Sequence, residues 1–136
     1  MRKLRSLVIT PFDAAGRRVH DTVERALLDL NVELARLENV AGAPLTNVII
    51  DFIRSSDFLV VDITRQNPNV FYELGFAHAM NKPTILIAST ETTGEIPADL
   101  SGIQIFVYDP SNLRELGSYL RRAVQPLVSE AASRYE

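Results

Sequence analysis

Glu73 is the residue of this chain whose position says most about chemistry. It follows Asn67-Pro68, a pair that marks a helix start: Asn caps the first free amides, and Pro suits the first helical position. Glu73 therefore falls in the second turn, near the positive end of the helix dipole. At about 100° per residue it projects beside Val70, Ala77 and Met80, on the margin of the apolar stripe. A carboxylate held there is partly desolvated, which raises its pKa and its reactivity as a base or nucleophile. The plainer reading is a glutamate that complements the dipole. By helix position alone the two stand level.

Asp57 and Asp62 flank the apolar run Phe58 to Ile63. Asp62, near its carboxyl end, can line a cleft or cap a loop amide, since a buried aspartate needs a partner. Asp57 precedes the run, which places it at the amino end of a strand. Asn69 and Tyr72 can hydrogen-bond a sugar or ligand, but read equally as a helix-start residue and a surface residue. His78 lies toward the apolar side of the same helix, where a lone histidine is more often packed than catalytic. His20 reads as solvated. No Ser-His-Asp set is identifiable, and two histidines so far apart give no metal signature. Asp13-Ala-Ala-Gly16 is a weak phosphate loop with a single glycine, which can still offer amides from the helix after it.

The elements that must position these residues alternate between strand and helix. Leu4 to Thr10 is a short apolar run stopped by Pro11, and a helical pattern runs from about His20 to Leu30. Val32 to Leu37 reads as an edge strand, and Pro44 to Ser55 as an amphipathic helix. Phe58 to Ile63 is a buried strand, followed by a helix from Asn67 to about Met80 with Asn81 as its C′ residue. Thr84 to Ala88 and Ile103 to Tyr108 are further strands, separated by a polar loop from Ser89 to Asp99. The last helix runs from about Ser111 to Ser129, with a bend expected at Pro126. Five parallel strands in this alternation predict an α/β, flavodoxin-like doubly wound sheet of order 2-1-3-4-5, with helices on both faces. In such sheets ligands sit outside the carboxyl ends of the strands, at the switch point between the first and third. That rule selects Thr10–Gly16, Asp62–Asn69, the helix start after it, and Ser89–Glu95.

The 136 residues, 46% hydrophobic and 23% charged, read as a single domain over 1–136. With no cysteine there is neither a disulfide framework nor a thiolate zinc site. Net charge is −3, and the basic residues are scattered apart from the short pairs Arg17–Arg18 and Arg121–Arg122, so nucleic acid is not an expected partner. No signal segment is recognisable and no apolar run approaches the ~18 residues that span a bilayer, so no membrane partner and a cytoplasmic location are expected.

The run from Ser56-Asp57 through Asp62, Asn67-Pro68-Asn69 and Tyr72-Glu73-Leu-Gly75-Phe-Ala77 to Lys82-Pro83-Thr-Ile-Leu-Ile resembles the signature of the nucleoside 2-deoxyribosyltransferase-like superfamily. It is similar as well to the related bacterial Toll/interleukin-receptor-like domains, some of which hydrolyse NAD. The opening Val-Ile-Thr-Pro-Phe fits the first strand and loop of that group. The resemblance implies cleavage or transfer of an N-glycosidic bond, with Glu73 as the catalytic glutamate and Asp57 as the aspartate of the Ser-Asp pair. In deoxyribosyltransferases that glutamate attacks the anomeric carbon; in the hydrolysing relatives it orients the ribose or stabilises an oxocarbenium-like transition state. Thr10, Pro11, Phe12, Asp62, Arg65, Asn67, Asn69, Tyr72 and Ser89 are then the substrate-binding candidates. Two departures matter. The transferases carry an aspartate where this chain has Asn67, and the first loop has Thr10-Pro11-Phe12 without the usual tyrosine. Arg65 can meet a phosphate, which favours a nucleotide, or stay free at the surface. The implied substrate is a nucleoside, a nucleotide or NAD, with no cofactor. The alternatives are a Toll/interleukin-receptor-like NAD glycohydrolase and a nucleotide-binding sensor module without turnover. A homodimer or higher homo-oligomer is expected, in which a tail such as Arg134-Tyr135-Glu136 could complete a neighbour's site.

Overall fold

The computed structural model describes residues 3–11, 13–35, 45–65, 68–92 and 103–134. Phe12 and Asn67 lie outside them, as do the Arg36–Leu37 end of the expected edge strand, Pro44 at the expected start of the second helix, the 93–99 part of the polar loop and the last two residues of the tail. Chain order is β1 (Arg5–Ile9), α1 (Ala14–Asp29), β2 (Glu33–Ala35), α2 (Leu45–Ser55), β3 (Phe58–Asp62), α3 (Pro68–Ala79), β4 (Thr84–Ser89), β5 (Ile105–Tyr108) and α4 (Leu113–Ser133). The strands pair in parallel as β2-β1-β3-β4-β5, the expected doubly wound order. No described helix is long and apolar enough to cross a membrane.

The burial pattern explains the layering. Every residue of β3 is buried, as a central parallel strand covered on both faces requires. Its side chains alternate: Phe58 and Val60 join a core with Val19, Val23 and Leu27 of α1 and Leu116, Leu120 and Val124 of α4. Leu59 and Val61 join the opposite core with Ile53 of α2 and Leu74 and Ala77 of α3. The two helix pairs thus cover opposite faces.

α1 starts at Ala14, six residues before the helical pattern became readable. Asp13 caps it, with Oδ1 accepting the Gly16 amide at 2.7 Å. The first turn carries Gly16, Arg17 and Arg18, which hide the apolar period. α4 continues to Ser133 with Pro126 inside it. Asn81 has φ 58°, which fits it to follow the end of α3.

The amino edge of the sheet is held by residues from the motif region. The Asp57 carboxylate accepts the Arg5 amide at 2.8 Å, and the Asp57 amide donates to the Arg5 carbonyl at 2.8 Å. The Ser56 hydroxyl donates to the Phe52 carbonyl at 2.6 Å, and Lys82 Nζ donates to the Arg54 carbonyl at 2.9 Å, closing the end of α2. His78 Nε2 meets the Thr84 hydroxyl at 3.0 Å, the packed role expected of it.

Ser6, also at this edge, is fully buried and its hydroxyl has no hydrogen-bond partner among the described residues. An unsatisfied buried hydroxyl is destabilising, so Ser6→Ala is expected to stabilise the fold by about 1 kcal/mol. A higher urea midpoint at unchanged m-value would report it.

Candidate active site

All strands run the same way, so their carboxyl ends share one edge. There β1 leads to α1 on one face and β3 leads to α3 on the other, which opens the crevice of the switch point.

Asp62, at the end of β3, is 2% exposed and both carboxylate oxygens are engaged. Oδ1 accepts the Thr64 amide at 2.9 Å and the Thr64 hydroxyl, and Oδ2 accepts the Tyr108 hydroxyl at 2.5 Å. Thr64 Oγ1 in turn accepts the Ser89 amide at 2.9 Å. One polar network therefore ties together the carboxyl ends of β3, β4 and β5. Burial, and then the bond to Asp62, push the Tyr108 phenol well above its usual range. The Ser89 hydroxyl is turned to its own loop, accepting the Glu91 amide at 3.0 Å.

Across the crevice mouth, Arg65 Nη2 pairs with Asp13 Oδ2. The Gly16 amide, and then Arg65, hold the Asp13 carboxyl below the usual carboxylate range. Gly16 is required here: a Cβ would lie 1.8 Å from the Pro11 carbonyl oxygen. Thr10 and Pro11 are half-buried in the same loop.

Glu73 sits in the second turn of α3, half-buried. Burial raises its pKa. No hydrogen bond or ion pair within the described residues holds its carboxylate. That contrasts with Asp13, Asp57 and Asp62, whose carboxylates are each bonded to backbone amides.

The structure thus gathers Thr10, Pro11, Asp62, Arg65 and Ser89 at the carboxyl edge, with Asn69 and Glu73 on the first turns of α3. Tyr72 stands on the water side of α3, 60% exposed. Asp57 is not with them. It lies at the opposite, amino edge with its carboxylate on the Arg5 amide, where it ties β1 to β3. Thr64 and Tyr108 were not among the sequence candidates. The ligand rule for strand ends was the one signal able to find Tyr108. Ligand atoms of His20, Asp21 and Glu24 lie within 4.8 Å of one another on α1, outside this edge. A depression lined by Leu30, Arg121, Arg122, Gln125 and Pro126 also gathers none of the site residues.

No family model and no curated protein matches the sequence. Solved structures do. The CMP N-glycosidase of Clostridium botulinum superposes with TM-score 0.65 at 17% identity, over 85% of this chain and 97% of that one. A 2-deoxyribosyltransferase of Bacillus psychrosaccharolyticus gives 0.58 at 18% identity, over 83% and 90%. The TIR domain of a Toll-related receptor of Hydra magnipapillata gives 0.59 at 16% identity, over 96% and 94%. The chain has the fold these three share. It is the fold that the motif resemblance implied, including its link to Toll/interleukin-receptor domains.

Proposed function

We propose that this chain cleaves the N-glycosidic bond of a nucleoside-type substrate, with the Glu73 carboxylate acting at the anomeric carbon. The observation that carries the reading is a half-buried carboxylate with raised pKa and no partner among the described residues, beside the crevice of a fold shared with an N-glycosidase and a deoxyribosyltransferase. A carboxylate so placed has lost hydration without gaining a hydrogen bond from the described residues. An electron-poor sugar carbon supplies what it lacks.

In the step proposed, a Glu73 oxygen bonds to C1′ as the C1′–N bond breaks. The bond's electron pair passes to the base nitrogen; a purine or pyrimidine then takes up a proton, whereas the cationic nicotinamide of NAD leaves neutral without one. Water then attacks C1′, releasing the sugar and returning the carboxylate. Asn67 has no acidic proton to give, so water is the proton donor assigned here, and hydrolysis is favoured over base exchange. The Asp62–Thr64–Tyr108 network holds the floor from which the loop to α3 departs.

The test is chromatographic product analysis after incubation with NAD, a panel of nucleosides and their 5′-monophosphates, beside Glu73→Gln. Free base is expected from wild type, at least about 10²-fold less from Glu73→Gln. The responding substrate names the branch: nicotinamide from NAD, or a purine or pyrimidine from a nucleoside. Binding without product at high protein concentration would instead support a sensor module.

A further inference from the structure

The geometry points to Asp13 as the residue that sets the charge class of the substrate, favouring an uncharged nucleoside over its 5′-phosphate. The inference rests on the reading of the crevice as a nucleoside site. From sequence alone, Arg65 could meet a phosphate or stay free at the surface. In the structure its guanidinium is bound to Asp13, from the loop on the other side of the switch point. The cation that would attract a phosphate is already neutralised.

Asp13 is not a passive counter-ion. Its carboxylate is fixed by the Gly16 amide at 2.7 Å as the cap of α1, so it cannot swing away without uncapping the helix. Its low pKa keeps it charged through the neutral range. A phosphate approaching Arg65 meets this fixed negative charge. The 5′-hydroxyl of a nucleoside meets an acceptor in Asp13 and a donor in Arg65, and carries no charge to repel. The discrimination expected from one like charge at contact range near a surface is about tenfold.

Asp13→Asn tests this, because Asn caps a helix about as well as Asp while removing the charge. Calorimetric binding would be measured for deoxyadenosine and deoxycytidine and for their 5′-monophosphates, with wild type, Asp13→Asn and Arg65→Gln. Wild type is expected to bind each nucleoside more tightly than its monophosphate. Asp13→Asn should shift that ratio toward the monophosphate by about tenfold or more, an effect that shrinks as salt is raised. Arg65→Gln should not produce the shift. An unchanged ratio in Asp13→Asn, or a wild-type preference for monophosphates, overturns the assignment of Asp13. Binding of no nucleoside and no monophosphate by wild type overturns the nucleoside-site reading itself, and the inference with it.

Discussion

Glu73→Gln is expected to melt above wild type at neutral pH even as it loses base release. Burial raises the Glu73 pKa above the usual 4.5, with no hydrogen bond or ion pair from the described residues to offset it. In the unfolded chain this group ionises at its ordinary pKa; in the folded chain it resists. The folded state therefore bears the full cost of the buried charge above the raised pKa, and none of it below pH 4.5. Glutamine keeps the shape and removes the charge. The melting advantage of the variant should be present at pH 7 and fade as pH falls through the raised pKa toward 4.5. The same group governs activity in the opposite sense, because the reactive form is the carboxylate. The acid limb of kcat/KM in wild type should lie above pH 4.5, with base release at least about 10²-fold lower in the variant. Gain of stability with loss of activity at one residue is the mark of a site held against its own folding preference. Thermal melts of both proteins from pH 4 to 8 would show it.

The second large effect is structural, and comes from two glycines that should respond oppositely to the same change. At Gly16 an added Cβ lies 1.8 Å from the Pro11 carbonyl oxygen and 2.6 Å from its carbon. Those are backbone atoms, so no rotamer relieves the contact. Either α1 backs away from the end of β1 or the loop opens, and Gly16→Ala is expected to cost about 1–3 kcal/mol. Gly75, on the exposed side of α3, has nothing within 4 Å of a Cβ. Gly75→Ala should stabilise by up to about 1 kcal/mol through helix propensity. Denaturant midpoints of the two variants, moving in opposite directions from wild type, would confirm that the β1–α1 turn is built on that close approach.

The fold was legible because its signals are local. Apolar runs such as Phe58 to Ile63 and stripes such as Val23, Ala26, Leu27 and Leu30 carry their periods within a dozen residues, and alternation then dictates a parallel sheet. The start of α1 was hidden because its first turns are capped by a side chain and carry arginines where the apolar period should begin. The position of Glu73 was legible for the same local reason, from the Asn67-Pro68 helix start. The polar network was not. Tyr108 meets Asp62 across 46 residues of sequence, and a tyrosine ending a strand looks like any β-forming aromatic. The Arg65–Asp13 pair spans 52 residues and was equally invisible. Asp57 shows the converse. Topology put it at the amino end and motif resemblance put it in the site, and the structure has it at the amino end, bonded to Arg5. In this chain Ser56, Asp57 and Lys82 of that motif tie β1, α2 and β3.

The most direct measurement is single-turnover base release by wild type and Glu73→Gln, with the substrate that responds in the panel and with binding of that substrate measured on both proteins. The expected result is comparable binding with release at least about 10²-fold slower in the variant. Equal release rates from wild type and Glu73→Gln would contradict the assignment of Glu73 as the group that acts on the glycosidic bond.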